Sequence, residues 1–281
     1  MFPIHPYNDY VTVQDKLDQT ILLTSDSDKQ RYHAMLGDLL WMQPRFSKPQ
    51  VAYSHQRLSR MSSPTLYNLH IGVQAIQYCA FTTQNEIRWV GGPAGAIIQT
   101  TVDSSFASED NRKSLTSWTV HVGGGGAAIC GAKTQTICAD STTSAEAIGN
   151  SMMLPDTIMA KQIFSELGFE QPTAIGVGND NQSTIQICNN PANKGNTRHL
   201  DLRFSIVRDN IEREITRIFY LPTDRMISDI GTKALSPAVF NLLSSYLLGH
   251  VTLPDFMTYI DTHCPHLAFE PLTASGDISP L

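Results

Sequence analysis

The chain has 281 residues, 41% hydrophobic and 16% charged, with a formal net charge of −6. It is therefore long enough for one large globular unit or two smaller ones, and it lacks the basic excess of a protein that coats nucleic acid by bulk electrostatics. No run approaches the ~20 consecutive apolar residues of a membrane helix, MFPIHPYNDY has neither the basic start nor the apolar run of a signal peptide, and five scattered cysteines without a CxxC pair argue against a disulfide framework or a zinc site. A reducing compartment, cytoplasm or nucleus, and no membrane partner are the expectation.

Residues 1 to about 28 show no sustained period and read as loop or short extended segments. From Ser27 onward, Met35, Leu36, Leu39 and Leu40 recur at helical spacing. Two further helical stretches follow, Gln50 to Arg60 and Ser63 to Cys79, with Pro49 and Pro64 near their starts, where proline is tolerated. Residues 1–92 thus read as a mainly helical segment. After Gly91-Gly92-Pro93 the character changes, and residues 93–250 read as a second unit. Residues 97–106, 115–122 and 127–139 are rich in Ile, Val, Thr and Trp and predict an antiparallel meander, with Gly123 to Gly126 as a hairpin connection. The glycine run lacks the GxxxxGK[ST] ending of a phosphate loop. A helix from about Thr143 to Leu167 comes next, then a short strand at Ala174 to Val177, a helix opening at Asp180, and a helix from about His199 to Arg213. A strand at Ile215 to Leu221 and a final helix from about Asp224 complete the order. Three strands, helix, strand, helices, strand, helix is the order of an α/β fold, a mixed five-stranded sheet with helices on its faces. Residues 251–281, with Pro254, Pro265, Pro271 and Pro280, read as a tail.

Four acids fall at telling points of this order. Asp103 lies in the first strand, Glu146 in the first turn of the first long helix, Asp180 just past the fourth strand and Asp229 in the final helix, separated by 43, 34 and 49 residues. Only the fold can bring them together. If the first and fourth strands are neighbours, Asp103 and Asp180 face each other and the two helices pack over the same place. Two hard cations about 4 Å apart need oxygen ligands of this kind and can serve both ends of a phosphodiester. The four carboxylates, with no lysine or arginine expected in their immediate neighbourhoods, should repel one another until divalent metal binds.

The pieces VDSSFA, NRKSLTSW, KTQT followed by STTSAEA, NDNQSTI, TRHLDLRFSIVR and YLPTDRMISDIGTKAL, from about Thr101 to Leu248, resemble the ribonuclease H domain of copia-type retrotransposon polyproteins in order and spacing. RYHAMLGDLLWM, RFSKPQVAY and the helix ending AIQYC resemble the connection that precedes that domain, just after the polymerase, whose YxDD motif is absent from this chain. The resemblance implies a ribonuclease H-like sheet of order 3-2-1-4-5 and endonucleolytic cleavage of RNA in an RNA–DNA hybrid. It also implies a C-terminal polyprotein piece without polymerase activity of its own, served by a polymerase domain encoded upstream. Asp103, Glu146, Asp180 and Asp229 would be both catalytic residues and metal ligands for two Mg2+ ions, with Mn2+ as a substitute. Asp103 would bridge both ions, Asp229 would complete the ion that activates water, and Glu146 and Asp180 the ion at the leaving 3′-oxygen. Products would carry 5′-phosphate and 3′-hydroxyl ends. The RNA strand would be read through its 2′-hydroxyls across the minor groove, and Arg112, Lys113, Lys133, Lys194, Arg198 and Arg203 are candidates for phosphate contacts. The rival reading is a catalytically silent or domesticated remnant that keeps the fold as a nucleic-acid-binding or interaction module.

The chain departs from the family pattern at packing positions. Cys130-Gly131-Ala132 stand where the third strand usually carries a tryptophan, and Ala147 follows the helix glutamate in place of an aromatic. Pro155 inside the long helix should kink or break it. The loop Leu221-Pro222-Thr223-Asp224 has no histidine, and His199, ahead of a helix, is the nearest candidate for the mobile histidine of cellular relatives.

Overall fold

The computed structural model describes residues 19–45, 48–89, 97–108, 112–189 and 201–251. The expected tail and His199 lie outside them.

The front of the chain forms helices α1 (Asp26–Arg45), α2 (Ala52–Leu58, entered through a 3-10 turn at Pro49–Val51) and α3 (Leu66–Phe81). Thr65 and Asn68 cap α3 reciprocally, each side chain taking the other's backbone N–H, which explains why this helix starts three residues later than the periodicity predicts. Tyr32, Leu39, Val51, Leu58, Ile71 and Ala75 bury the facing sides of the three helices.

The sheet begins at Ile98 with β1 (Ile98–Ser105), β2 (Leu115–Val122) and β3 (Ala127–Thr134), an antiparallel meander whose second hairpin turns through Gly123 and Gly124 at positive φ. Helix α4 (Thr142–Glu166) leads to β4 (Ile175–Asn179), α5 (Gln182–Asn189) and α6 (Asp201–Glu212). Then come β5 (Thr216–Tyr220), 3-10 turns at Thr223–Arg225 and Ile227–Gly231, and α7 (Pro237–Leu247). The strand order is β3-β2-β1-β4-β5, with β4 parallel to both β1 and β5. This is the ribonuclease H-like mixed sheet flanked by helices that the resemblance implies. One face of the sheet meets α4 and α6 through Val102, Val120, Ile148, Met153, Val177, Phe204 and Val207.

Two local expectations are corrected, and one departure from the family pattern is accounted for. Helix α4 runs unbroken through Pro155, whose ring sits on the exposed side of the helix. An outward ring disturbs no packing, and the rest of the long helix stays held by its buried face. Asp229 lies in the 3-10 turn Ile227–Gly231 rather than in the final helix, which starts only at Pro237. The missing third-strand tryptophan is replaced from the neighbouring strand: Trp118 pairs with Gly131, and a Cβ at Gly131 would sit 2.2 Å from the indole Cζ2. The indole N–H donates to Asp156 Oδ2 at 2.7 Å, tying β2 to α4 beside the proline.

The front helices pack directly on this unit. Gln56 of α2 donates to the Ala132 carbonyl of β3 at 2.7 Å, the Arg88 carbonyl accepts from Gly126, and Phe240 of α7 enters the front cluster edge-on to Tyr78, with ring centroids 5.7 Å apart.

One close approach sets the position of α4. A Cβ at Gly149 would lie 2.3 Å from Ser104 Oγ, so glycine lets the helix lie against β1 one turn beyond Glu146. The variant Gly149→Val should force the helix off β1, as overpacking does, at a cost of about 1–3 kcal/mol. Urea denaturation measures this directly, and an unchanged midpoint would show that the contact has slack.

Candidate metal centre

Asp103 projects from β1 and is buried. Its neighbour Ser104 points to the opposite face, toward α4, as strand alternation requires. Glu146 comes from α4, just past the first turn, in a helix whose start is fixed by Ser141, which accepts from the Ser144 N–H at 3.1 Å. The Glu146 carboxylate is clamped on both sides. Oε1 accepts the Ser104 N–H at 2.9 Å, and Oε2 accepts Asn179 Nδ2 at 2.8 Å. Asn179 is the last residue of β4, and its side-chain oxygen takes the Asn181 N–H at 2.9 Å, which turns the chain so that Asp180 projects from the strand end. Asp180 Oδ2 accepts from Thr223 Oγ1 at 2.9 Å, a contact that ties the end of β4 to the turn after β5.

One carboxylate oxygen each from Asp103, Glu146 and Asp180 lie within 4.8 Å of one another, a set that could hold a divalent metal ion. Asp229 stands beside this trio. Its 3-10 turn is pinned to the sheet through Ser228 Oγ, 2.6 Å from Thr101 Oγ1, which is in turn 2.8 Å from Thr119 Oγ1. Asp229 meets Asp103 through Lys233, whose Nζ lies 2.7 Å from Asp229 Oδ1 and 3.3 Å from Asp103 Oδ1. The hydroxyl of Thr232 donates to the other oxygen of Asp103.

Lys233 corrects the expectation that the acids have no basic neighbour: it stands four residues after Asp229, and the turn brings it back onto both acids. Thr232, Lys233 and Asn179 lie in the segments YLPTDRMISDIGTKAL and NDNQSTI that hold Asp229 and Asp180. Of the three, Lys233 had a readable signal, since a lysine four residues after an acid meets it on any helical turn. The roles of Thr232 and Asn179 depend on side chains more than a hundred and about thirty residues away and leave no local trace.

Burial dominates the electrostatics. It pushes the Asp229 carboxyl up to about 8, with Asp103 adding to the rise and Lys233 opposing it. Burial and Asp103 hold Glu146 well above the usual carboxylate range, against the hydrogen bonds from Asn179 and Ser104. Asp103 is also raised, burial outweighing Lys233 and Thr232. In the metal-free centre Asp103, Glu146 and Asp229 thus hold protons more firmly than free carboxylates do, because desolvation and proximity both disfavour their charge.

The basic candidates are spread differently. Arg112, exposed and at positive φ, and Lys113 lie between β1 and β2, at the same sheet end as Asp103. Lys133 is exposed on β3, one residue from Ala132, which shares the Asp103–Ser117 row. Arg203 reaches Ser151 Oγ of α4 at 3.4 Å, so it packs on a helix. Lys194 and Arg198 lie outside the described residues. No described helix is long and apolar enough to cross a membrane.

No protein-family model matches the chain. Over 221 residues it is 27% identical to the retrovirus-related Pol polyprotein from transposon TNT 1-94 of Nicotiana tabacum, covering 78% of this chain and 16% of that polyprotein. Against the corresponding polyprotein from transposon RE1 of Arabidopsis thaliana it is 22% identical over 225 residues, covering 79% of this chain and 15% of the relative. The chain therefore spans about one-sixth of the length of the curated relatives it matches. Among solved structures it aligns with ribonuclease H1 of Halobacterium salinarum (19% identity, 45% of this chain, 86% of that one). It also aligns with the N-terminal ribonuclease H domain of a Mycobacterium tuberculosis protein (12% identity, 54% and 98%), and the TM-score is 0.32 in both cases. Over about four-fifths of its length the chain is similar to the retrovirus-related Pol polyproteins of plant transposons, and it fits the C-terminal part of the copia type.

Proposed function

We propose that this protein is a retrotransposon ribonuclease H, hydrolysing the RNA strand of an RNA–DNA hybrid with two Mg2+ ions, which Mn2+ can replace. The observation that carries this reading is the convergence of Asp103, Glu146 and Asp180 within 4.8 Å, with Asp229 linked to the same Asp103 through Lys233. The donor set fits the group: every ligand atom is a carboxylate oxygen, as a hard divalent cation prefers. When bound, two such ions about 4 Å apart supply an activated water on one side of the phosphodiester and charge stabilisation of the leaving oxygen on the other.

The chain's own residues set the stage for that chemistry. Asp103, central in the cluster, would be the ligand shared by both ions, Asp229 would complete the ion on the water side, and Glu146 and Asp180 would complete the ion at the leaving 3′-oxygen. Ser104 and Asn179 fix the Glu146 carboxylate in one orientation, and Thr232 does the same for Asp103. Arg112, Lys113 and Lys133 are proposed phosphate contacts, with Lys194, Arg198 and Arg203 as further candidates. Their local charge would offset the overall net charge of −6 along the hybrid. A polymerase domain encoded upstream, as expected of a Pol polyprotein, is the proposed partner.

Asp103→Asn tests the reading. It keeps the shape of the side chain and its acceptor for Thr232 but removes the shared charge. Cleavage of a labelled RNA–DNA hybrid in Mg2+ or Mn2+ should fall to background. Metal-free stability should change by less than about 1 kcal/mol, because relief from burying a carboxylate offsets the lost attraction to Lys233. Wild-type protein that binds the hybrid yet cleaves no faster than this variant would establish a silent remnant.

The raised carboxyls add a test by pH. Asp229 binds its proton more tightly in the folded chain, at about 8, than in the unfolded chain at the ordinary 3.8. Between those values the native state holds more protons, so stability falls as pH rises. Thermal melts in EDTA should therefore show a protein more stable near pH 6 than near pH 8, and saturating Mg2+ should flatten or reverse the slope by favouring the charged carboxylates. Stability that climbs with pH in EDTA would refute this account of the centre.

A further inference from the structure

The four acids are not held alike. Asp103, Glu146 and Asp180 offer oxygens to one another's neighbourhood, whereas Asp229 lies outside that trio and directs Oδ1 at an ammonium 2.7 Å away. That ammonium also reaches the one oxygen of Asp103 that Thr232 leaves free, at 3.3 Å. Among the described residues, the ion pairs made by the four acids are both with Lys233. The Lys233 side chain is 36% exposed while the two acids it bridges are 3% and 5% exposed, so the cation has a route out to solvent and its partners have none.

We propose that Lys233 is the built-in counter-cation of the metal-free centre: its ammonium stands between Asp103 and Asp229 in the place of the second divalent ion, and that ion must displace it to bind. The proposal rests on the two-ion reading above and goes beyond it. A divalent ion ligated by Asp229 Oδ1 and Asp103 Oδ1 would stand within a few ångströms of the ammonium, and two cations that close in a poorly solvated pocket repel strongly. Lysine suits such a part, because its charge is a point on a flexible four-carbon stem that can swing clear without unfolding the turn that carries it. Of the trio, only Asp103 forms an ion pair with the ammonium among the described residues, at the longer distance of 3.3 Å, so the trio is hindered less. In this arrangement the Asp103–Glu146–Asp180 subsite is open to the first ion, and occupancy of the second subsite is set by competition with a side chain. Lys233 is thus a positioning residue that gates metal loading.

Calorimetric titration of the full chain with Mn2+ tests this, comparing wild type with Lys233→Met, Lys233→Gln and the charge-keeping Lys233→Arg. A stem that is one-third exposed tolerates such changes, and circular dichroism checks that each variant is folded. The expected result is two classes of ion in the wild type. In the Met and Gln variants the weaker class should tighten by about tenfold or more, while the tighter class stays within about threefold and the Arg variant follows the wild type. A merely structural lysine would give the opposite sign, weaker binding on its removal. Wild-type binding of two ions with no tightening in either neutral variant would overturn the inference and leave the nuclease reading intact. Failure of wild type and variants alike to take up Mn2+ would overturn both.

Discussion

Everything at this centre depends on one electrostatic constraint, the crowding of carboxylates around a buried Asp103. Each acid that approaches makes the charged form of the others costlier, and burial removes the water that would relieve them. In the folded chain that tension is met in three ways. Hydrogen-bond donors, the Ser104 N–H and Asn179 Nδ2, satisfy Glu146. Hydroxyls from Thr232 and Thr223 reach Asp103 and Asp180. One ammonium, that of Lys233, answers Asp103 and Asp229 together.

The sheet and its helices can be understood as the frame that sustains this crowding. Parallel pairing of β1 with β4 brings the ends of those strands together, so that Asp103 and Asp180 meet although 77 positions apart. The glycine at 149 lets α4 come close enough for Glu146 to bond β1 backbone. The hydroxyl chain Thr119–Thr101–Ser228 nails the 3-10 turn to the same face and so fixes Asp229. Each of these is a different kind of contact, and each positions a different acid.

Where the reading from sequence succeeded, the reason is periodicity. The order of strands and helices is written in alternating β-branched residues and in apolar spacing, and the position of Asp103, Glu146 and Asp180 follows once the order is known. It went astray where tertiary contacts override local pattern. Pro155 promises a break, but on the outer side of a long packed helix it costs too little to end it. A final helix read from about Asp224 takes in Asp229, but the apolar residues Ile227 and Ile230 there serve a 3-10 turn pressed on the sheet. The third strand departs from the family pattern by lacking a tryptophan, and Trp118 of the adjacent strand packs over Gly131 there, an arrangement visible only when the register of β2 on β3 is known. Lys233 was legible in principle, and Thr232 and Asn179 were not.

The grip of the front helices on β3 has a further meaning. β3 ends the sheet on one side, and an end strand carries a row of backbone groups that invite another chain to pair with it. Gln56 already occupies the Ala132 carbonyl of that row, and α2 lies alongside the strand. α7 meanwhile surrenders Phe240 to the helical cluster instead of to the sheet. The helices that precede the sheet therefore act as its selvage, the woven border that keeps a fabric from fraying. A fragment trimmed to the sheet and its clustered acids would keep the carboxylates yet expose both an unpaired strand and an orphaned phenylalanine, which makes the two parts a single unit of folding.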